Sequence, residues 1–155
     1  RNVQGVALHP TSGKVWTHEH GPKGGDEVNI LENGDNYGWP TITYGVNYDG
    51  SSITDVTEMD AMRQPLTYWA PSIAPSGMAF YTGDEFPEWK GNLFVGSLKF
   101  RYLNRMVMDG EKVVEQEELL RDRNERIRDV KQAPDGSIYV LTDDVNGKVL
   151  RLTKG

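Results

Sequence analysis

The chain has 155 residues, of which 26% are charged, and 23 acids against 17 lysines and arginines leave a net charge of −6. That balance excludes the extended basic face a nucleic-acid surface needs, so any anionic ligand must find a local basic pocket. The absence of cysteine excludes disulfides and thiolate metal sites, and no apolar run approaches the roughly 20 residues of a membrane helix, so no membrane insertion is expected. On length alone one domain with a sizeable core is expected. Residue 1 is Arg, not Met, which reads as truncation or processing of a longer chain.

In chain order, "VQGVALHP" and "KVWTHEH" read as a hairpin turning at Thr11-Ser12, followed by the loop "GPKGG" and the strand-like "DEVNI". Residues 29–71 are rich in Gly, Asn, Tyr and Pro, with a helical turn around Glu58 to Arg63 as their one helical signal. "RYLNRMVMDGEKV" and "KVLRLTK" read as further hairpin strands. Three segments share one pattern, in which turn chemistry leads into Gly, a polar residue, an aliphatic and an aromatic: Gly13-Lys14-Val15-Trp16, Gly91-Asn92-Leu93-Phe94 and Gly136-Ser137-Ile138-Tyr139. The last two lie about one four-stranded propeller blade apart, at roughly 40 to 50 residues. The reading is therefore all-β, about three blades of four-stranded antiparallel sheet. Closed propellers use four to eight blades, so the chain is expected to supply part of a ring completed by a missing half or by a second copy. A self-contained β-sandwich is the alternative.

The stretch "THEHGPKGGDEVN" offers two histidines, but a zinc site with His9 as third ligand fails on distance. The hairpin puts His9 beside its turn and His18 and His20 at the other end, on the order of 13 Å away at about 3.3 Å per residue. The hairpin also carries Arg1, Asn2 and Gln4 toward His20, Gly21 and Pro22. The carbonyls of Gly21 and Pro22 are hard oxygen donors suited to calcium. Asp26 and Glu27 supply carboxylates able to bind a cation directly or to orient the loop, or to be solvated surface acids. Arg126 and Arg128, two apart in "ERIRD", share one strand face; they are an anion site or a surface pair matched to Glu125 and Asp129. Lys99 in "GSLKF" follows an aromatic strand. If Arg1, Lys99, Arg126 and Arg128 shared one cavity, they would suit a ligand with several carboxylates or phosphates.

"RNVQG", "EHGPKGGDEVN", "NYGWP", "APSGMAFY", "GSLK" and "RIRDVKQAPDGSIYVLTD" together resemble the C-terminal half of the glucose/sorbosone dehydrogenase family, above all its aldose sugar dehydrogenases. The resemblance implies a six-bladed propeller holding pyrroloquinoline quinone (PQQ), a tricarboxylated orthoquinone, with calcium, in a periplasmic or secreted protein that oxidises aldoses to lactones. Residue by residue it implies Arg1, Asn2, Gln4, Lys99, Arg126 and Arg128 around the quinone. It likewise implies the Gly21 and Pro22 carbonyls on its calcium, and Glu27 with the Tyr37 carbonyl at a second, structural calcium. Tyr68 and Trp69 lie where the family has aromatics near the substrate, one residue out of step relative to Pro71. The family's general-base histidine, in a "DHNGG"-like stretch, has no counterpart here, so no catalytic residue is assigned and the chain alone is expected to be inactive. Two rivals are a non-catalytic propeller that binds proteins, against which the cations count, and a calcium-dependent lactonase, for which a carboxylate-rich centre would be needed.

Overall fold

The computed structural model describes residues 1–155. Eleven strands follow one another: β1 (Asn2–Leu8), β2 (Val15–His20), β3 (Asp26–Ile30), β4 (Thr67–Trp69), β5 (Pro75–Phe80), β6 (Leu93–Ser97), β7 (Tyr102–Asp109), β8 (Lys112–Leu119), β9 (Ile127–Gln132), β10 (Ile138–Thr142) and β11 (Val149–Leu152). They form three antiparallel sheets, β1-β2-β3-β4, β5-β6-β7-β8 and β9-β10-β11, each built from consecutive strands. The fold is all-β with the blade-like repeat the sequence suggested, and three such sheets leave no place for a two-sheet sandwich. The third sheet has three strands, not four, which corrects the expectation of four-stranded blades throughout.

Each glycine of the repeat turns the chain into the second strand of its sheet. Gly13, Gly91 and Gly136 have φ of 68°, 80° and 85°, the left-handed region that a Cβ disfavours, and β2, β6 and β10 begin within two residues of them. The helical turn expected around Glu58 to Arg63 is absent. Ala61 takes φ of 64° there, which breaks right-handed helical progression, and residues 31–66 run as turns and short bridges.

The chain divides into two compact units, where length had suggested a single core. One comprises Arg1–His9 with Gly13–Pro75, the other Pro10–Ser12 with Ser76–Gly155. In the first, Trp16, Val28, Ile42, Trp69 and Ile73 are buried. The second is held by a cluster of Tyr81, Phe86, Phe94, Leu103, Ile127, Val130, Ile138 and Val140, in which strand residues of both its sheets meet Tyr81 and Phe86 from the segment between β5 and β6. The Tyr81 hydroxyl donates to the Gly136 carbonyl at 2.7 Å and accepts from the Phe86 amide at 3.0 Å, so this buried phenol is fully engaged.

Candidate functional site

In the first unit β1 and β2 pair with Asn2 opposite His20 and Leu8 opposite Val15. This is the expected hairpin, and it separates the histidines as expected. His9 stacks on Trp16 with ring centroids 5.3 Å apart. His18 is fully buried under β1, where a Cβ on Gly5 would fall 2.2 Å from its Nε2. His20 donates from Nε2 to the Pro75 carbonyl at 2.6 Å. All three serve the fold.

The loop after β2 is clamped through its backbone. The Gly21 amide donates to Asp26 Oδ1 at 2.9 Å, Lys23 N–H to the Val46 carbonyl at 3.1 Å and Gly25 N–H to the Trp69 carbonyl at 2.8 Å. The turn is so tight that a Cβ on Gly21 would lie 2.0 Å from the Gly24 carbonyl oxygen. Gly21 and Pro22 are both buried, and no backbone N–H donates to the carbonyl of either. Buried carbonyls ordinarily have partners. Two with unspent lone pairs on a rigid turn are the donor set a hard cation takes.

Asp26 and Glu27 divide the roles left open for them. Asp26 is fully buried and acts on the loop. Glu27 is buried beside Asn29, whose Nδ2 donates to its Oε2 at 3.1 Å. Burial pushes the Glu27 carboxyl above its ordinary value, Asn29 opposes the shift, and Glu19 adds to it. Asn29 Oδ1 is buried without a partner. The Tyr37 hydroxyl donates to the Ile30 carbonyl and accepts from the Glu32 amide at 2.9 and 2.8 Å, which fixes the segment that bears the Tyr37 carbonyl. Arg1 donates to the His20 carbonyl at 3.3 Å and lies over the Trp39 ring at 5.2 Å, while Gln4 donates to Asn2 at 2.9 Å. Tyr68 stacks on Tyr44 at 3.8 Å and 8°, and Trp69 is buried in the core.

In the second unit Arg128 lies in β9 and Arg126 just before it, so the expected pair on one strand face becomes two arginines converging on one counter-ion. Their common partner is Asp143. Arg126 donates through Nε and Nη2 to Oδ2 at 2.9 and 2.8 Å, and Arg128 Nη2 lies 3.0 Å from the same oxygen. Glu125 instead pairs with Arg123 and Lys148, and Asp129 with Lys131, so the neighbouring acids named from the sequence are not the counter-ions. No local motif points to Asp143, because its position depends on register. Thr142 lies opposite Ile127, and the Asp143 amide donates to the Arg126 carbonyl at 2.8 Å. The two guanidiniums hold the Asp143 carboxyl below its usual range, Arg126 contributing first and Arg128 second. Lys99 is exposed just beyond β6, its Nζ 5.2 Å from the Phe100 ring.

Residues 1–151 match the family model for glucose / sorbosone dehydrogenase. The chain belongs to the glucose/sorbosone dehydrogenase family. Among its relatives, the aldose sugar dehydrogenase YliI of Escherichia coli K12 is 48% identical over 155 residues, covering 99% of this chain and 42% of the relative. Quinoprotein glucose dehydrogenase B of Acinetobacter calcoaceticus is 29% identical over 199 residues, covering 92% of this chain and 41% of the relative. A crystal structure of a glucose dehydrogenase superposes with a TM-score of 0.96 at 50% identity, covering all of this chain and 45% of that one. The chain thus spans less than half the length of these glucose/sorbosone dehydrogenase relatives.

Proposed function

We propose that this chain forms part of a periplasmic or secreted aldose dehydrogenase that uses PQQ and calcium to oxidise sugars to lactones, within a six-bladed propeller. Family membership supports sugar oxidation, and the quinoprotein among the relatives supports a quinone cofactor. The observation that carries the cofactor reading is the Arg126–Arg128 pair, two guanidiniums at the start of β9 already gripping one carboxylate. Such forks suit the carboxylates of a tricarboxylated quinone, and Lys99 adds a further cation. When bound, the quinone supplies the hydride acceptor and calcium the Lewis acid.

This chain's residues then bind and orient. Arg126, Arg128 and Lys99 bind carboxylate and quinone oxygens. Arg1, Asn2 and Gln4 border the cofactor, and the Gly21 and Pro22 carbonyls hold the calcium. Glu27 and the Tyr37 carbonyl hold a second calcium, consistent with a buried carboxylate beside an unpartnered Asn29 oxygen. The proton of the sugar C1 hydroxyl must go to a base from outside this chain, since His9, His18 and His20 are committed to the fold. The test is dye-linked oxidation of aldoses by the full polypeptide that carries this sequence, loaded with PQQ and calcium. Lactone formation that requires both is expected, with the 155 residues alone inactive. No turnover of any aldose by the loaded polypeptide would overturn the proposal.

A further inference from the structure

We propose that Asp26 is a positioning residue that presets the Gly21 carbonyl, beside that of Pro22, for a cation, an inference that rests on the calcium reading above. Asp26 is fully buried and accepts four hydrogen bonds. Oδ1 takes the Gly21 amide at 2.9 Å. Oδ2 takes the Ser72 hydroxyl at 2.6 Å and the Ile73 and Ala74 amides at 2.8 and 3.1 Å. Three donors fill Oδ2, so hydrogen bonds, rather than a counter-ion, offset the cost of burying this carboxylate. One side chain therefore joins the loop that begins at Gly21 to the turn at 72–74, where Ala74 is held at φ of 53°.

The consequence for the two carbonyls follows from peptide planarity. The Pro22 carbonyl shares a plane with the Lys23 N–H, which is committed to Val46, so its direction is set. The Gly21 carbonyl lies between that plane and the Gly21 amide, which Asp26 holds. Releasing the Gly21 amide frees the rotation that aims the Gly21 oxygen. The Pro22 ring fixes φ on the far side of the Gly21 carbonyl, so the Gly21 amide is the end of this arrangement that Asp26 controls.

The test uses the full polypeptide and two readouts, calcium affinity by calorimetry and the rise in Tm that calcium produces over chelator. Asp26→Asn presents an NH2 group to a shell of donors. It is expected to weaken calcium binding by about 10- to 100-fold, the usual cost of losing a ligand-orienting partner, and to shrink the calcium-induced rise in Tm. Ser72→Ala removes one of the four donors and keeps the carboxylate, so a smaller loss of roughly 2- to 10-fold is expected. It decides the matter if Asp26→Asn fails to fold. Folded variants with unchanged calcium affinity and an unchanged calcium-induced rise would overturn this inference alone. An unmodified protein that binds no calcium would overturn both this inference and the calcium reading beneath it.

Discussion

Glu27 shows how one buried group ties stability to pH. Its carboxyl is raised by burial, so the folded state binds its proton more tightly than the unfolded chain does. The group carries no penalty below the unfolded value; a destabilising contribution grows as pH rises past that value and is complete above the folded one. Glu27→Gln should therefore raise Tm at pH 7 without calcium, and the gain should fade as pH drops through the carboxylate range. A gain that is the same at pH 4 and pH 7 would contradict this. Some of this chemistry is legible in the sequence. "GPKGGDE" marks a loop with bare carbonyls and two acids, but which acid faces the loop and which faces Asn29 depends on the alternation of β3 and on Ser72, far along the chain. Asp143 is hidden for the same reason, since only the offset between β9 and β10 sets it against two arginines.

At the scale of elements, the three repeat glycines mark their sheets in the sequence because a left-handed turn before a strand has few chemical solutions. Gly91 has φ of 80°, and a Cβ added to it would meet nothing within 4 Å, so Gly91→Ala should cost only the left-handed backbone strain, about 1 kcal/mol. Gly96 is different. A Cβ there would lie 2.4 Å from Ser76 Oγ and 2.8 Å from Ile127 Cγ2, where β5 and β9 crowd β6. Gly96→Ala should cost about 1 to 3 kcal/mol as overpacking, and chemical denaturation of the pair would show whether the order holds. Equal costs would mean that β6 and β9 have room to move apart. The segment from Glu58 to Arg63 looks helical by propensity alone, yet it bonds to a distant segment instead, the Arg63 amide donating to the Asn36 carbonyl at 2.7 Å.

For the whole molecule, open edges matter most. β1 is an edge strand of its sheet and exposes Val3, Val6 and Leu8, while β11 is an edge strand of its own and exposes Val149. Unpaired edges with apolar side chains invite pairing with other chains. The 155 residues alone should self-associate or bind a completing segment, and sedimentation should show mass rising with concentration. A well-folded monomer at micromolar concentration would contradict that. The acidic balance of the chain sets no obstacle to an anion site, because local cations and their register decide it.

The most direct test of cofactor binding is an absorbance titration of the full polypeptide with PQQ, in calcium and in chelator, repeated for Arg128→Ala. Saturable, calcium-dependent binding is expected, weakened by Arg128→Ala by about 10- to 100-fold, the worth of a charge-assisted hydrogen bond. Binding indifferent to both calcium and Arg128, or no binding, would contradict a quinone site built on these arginines.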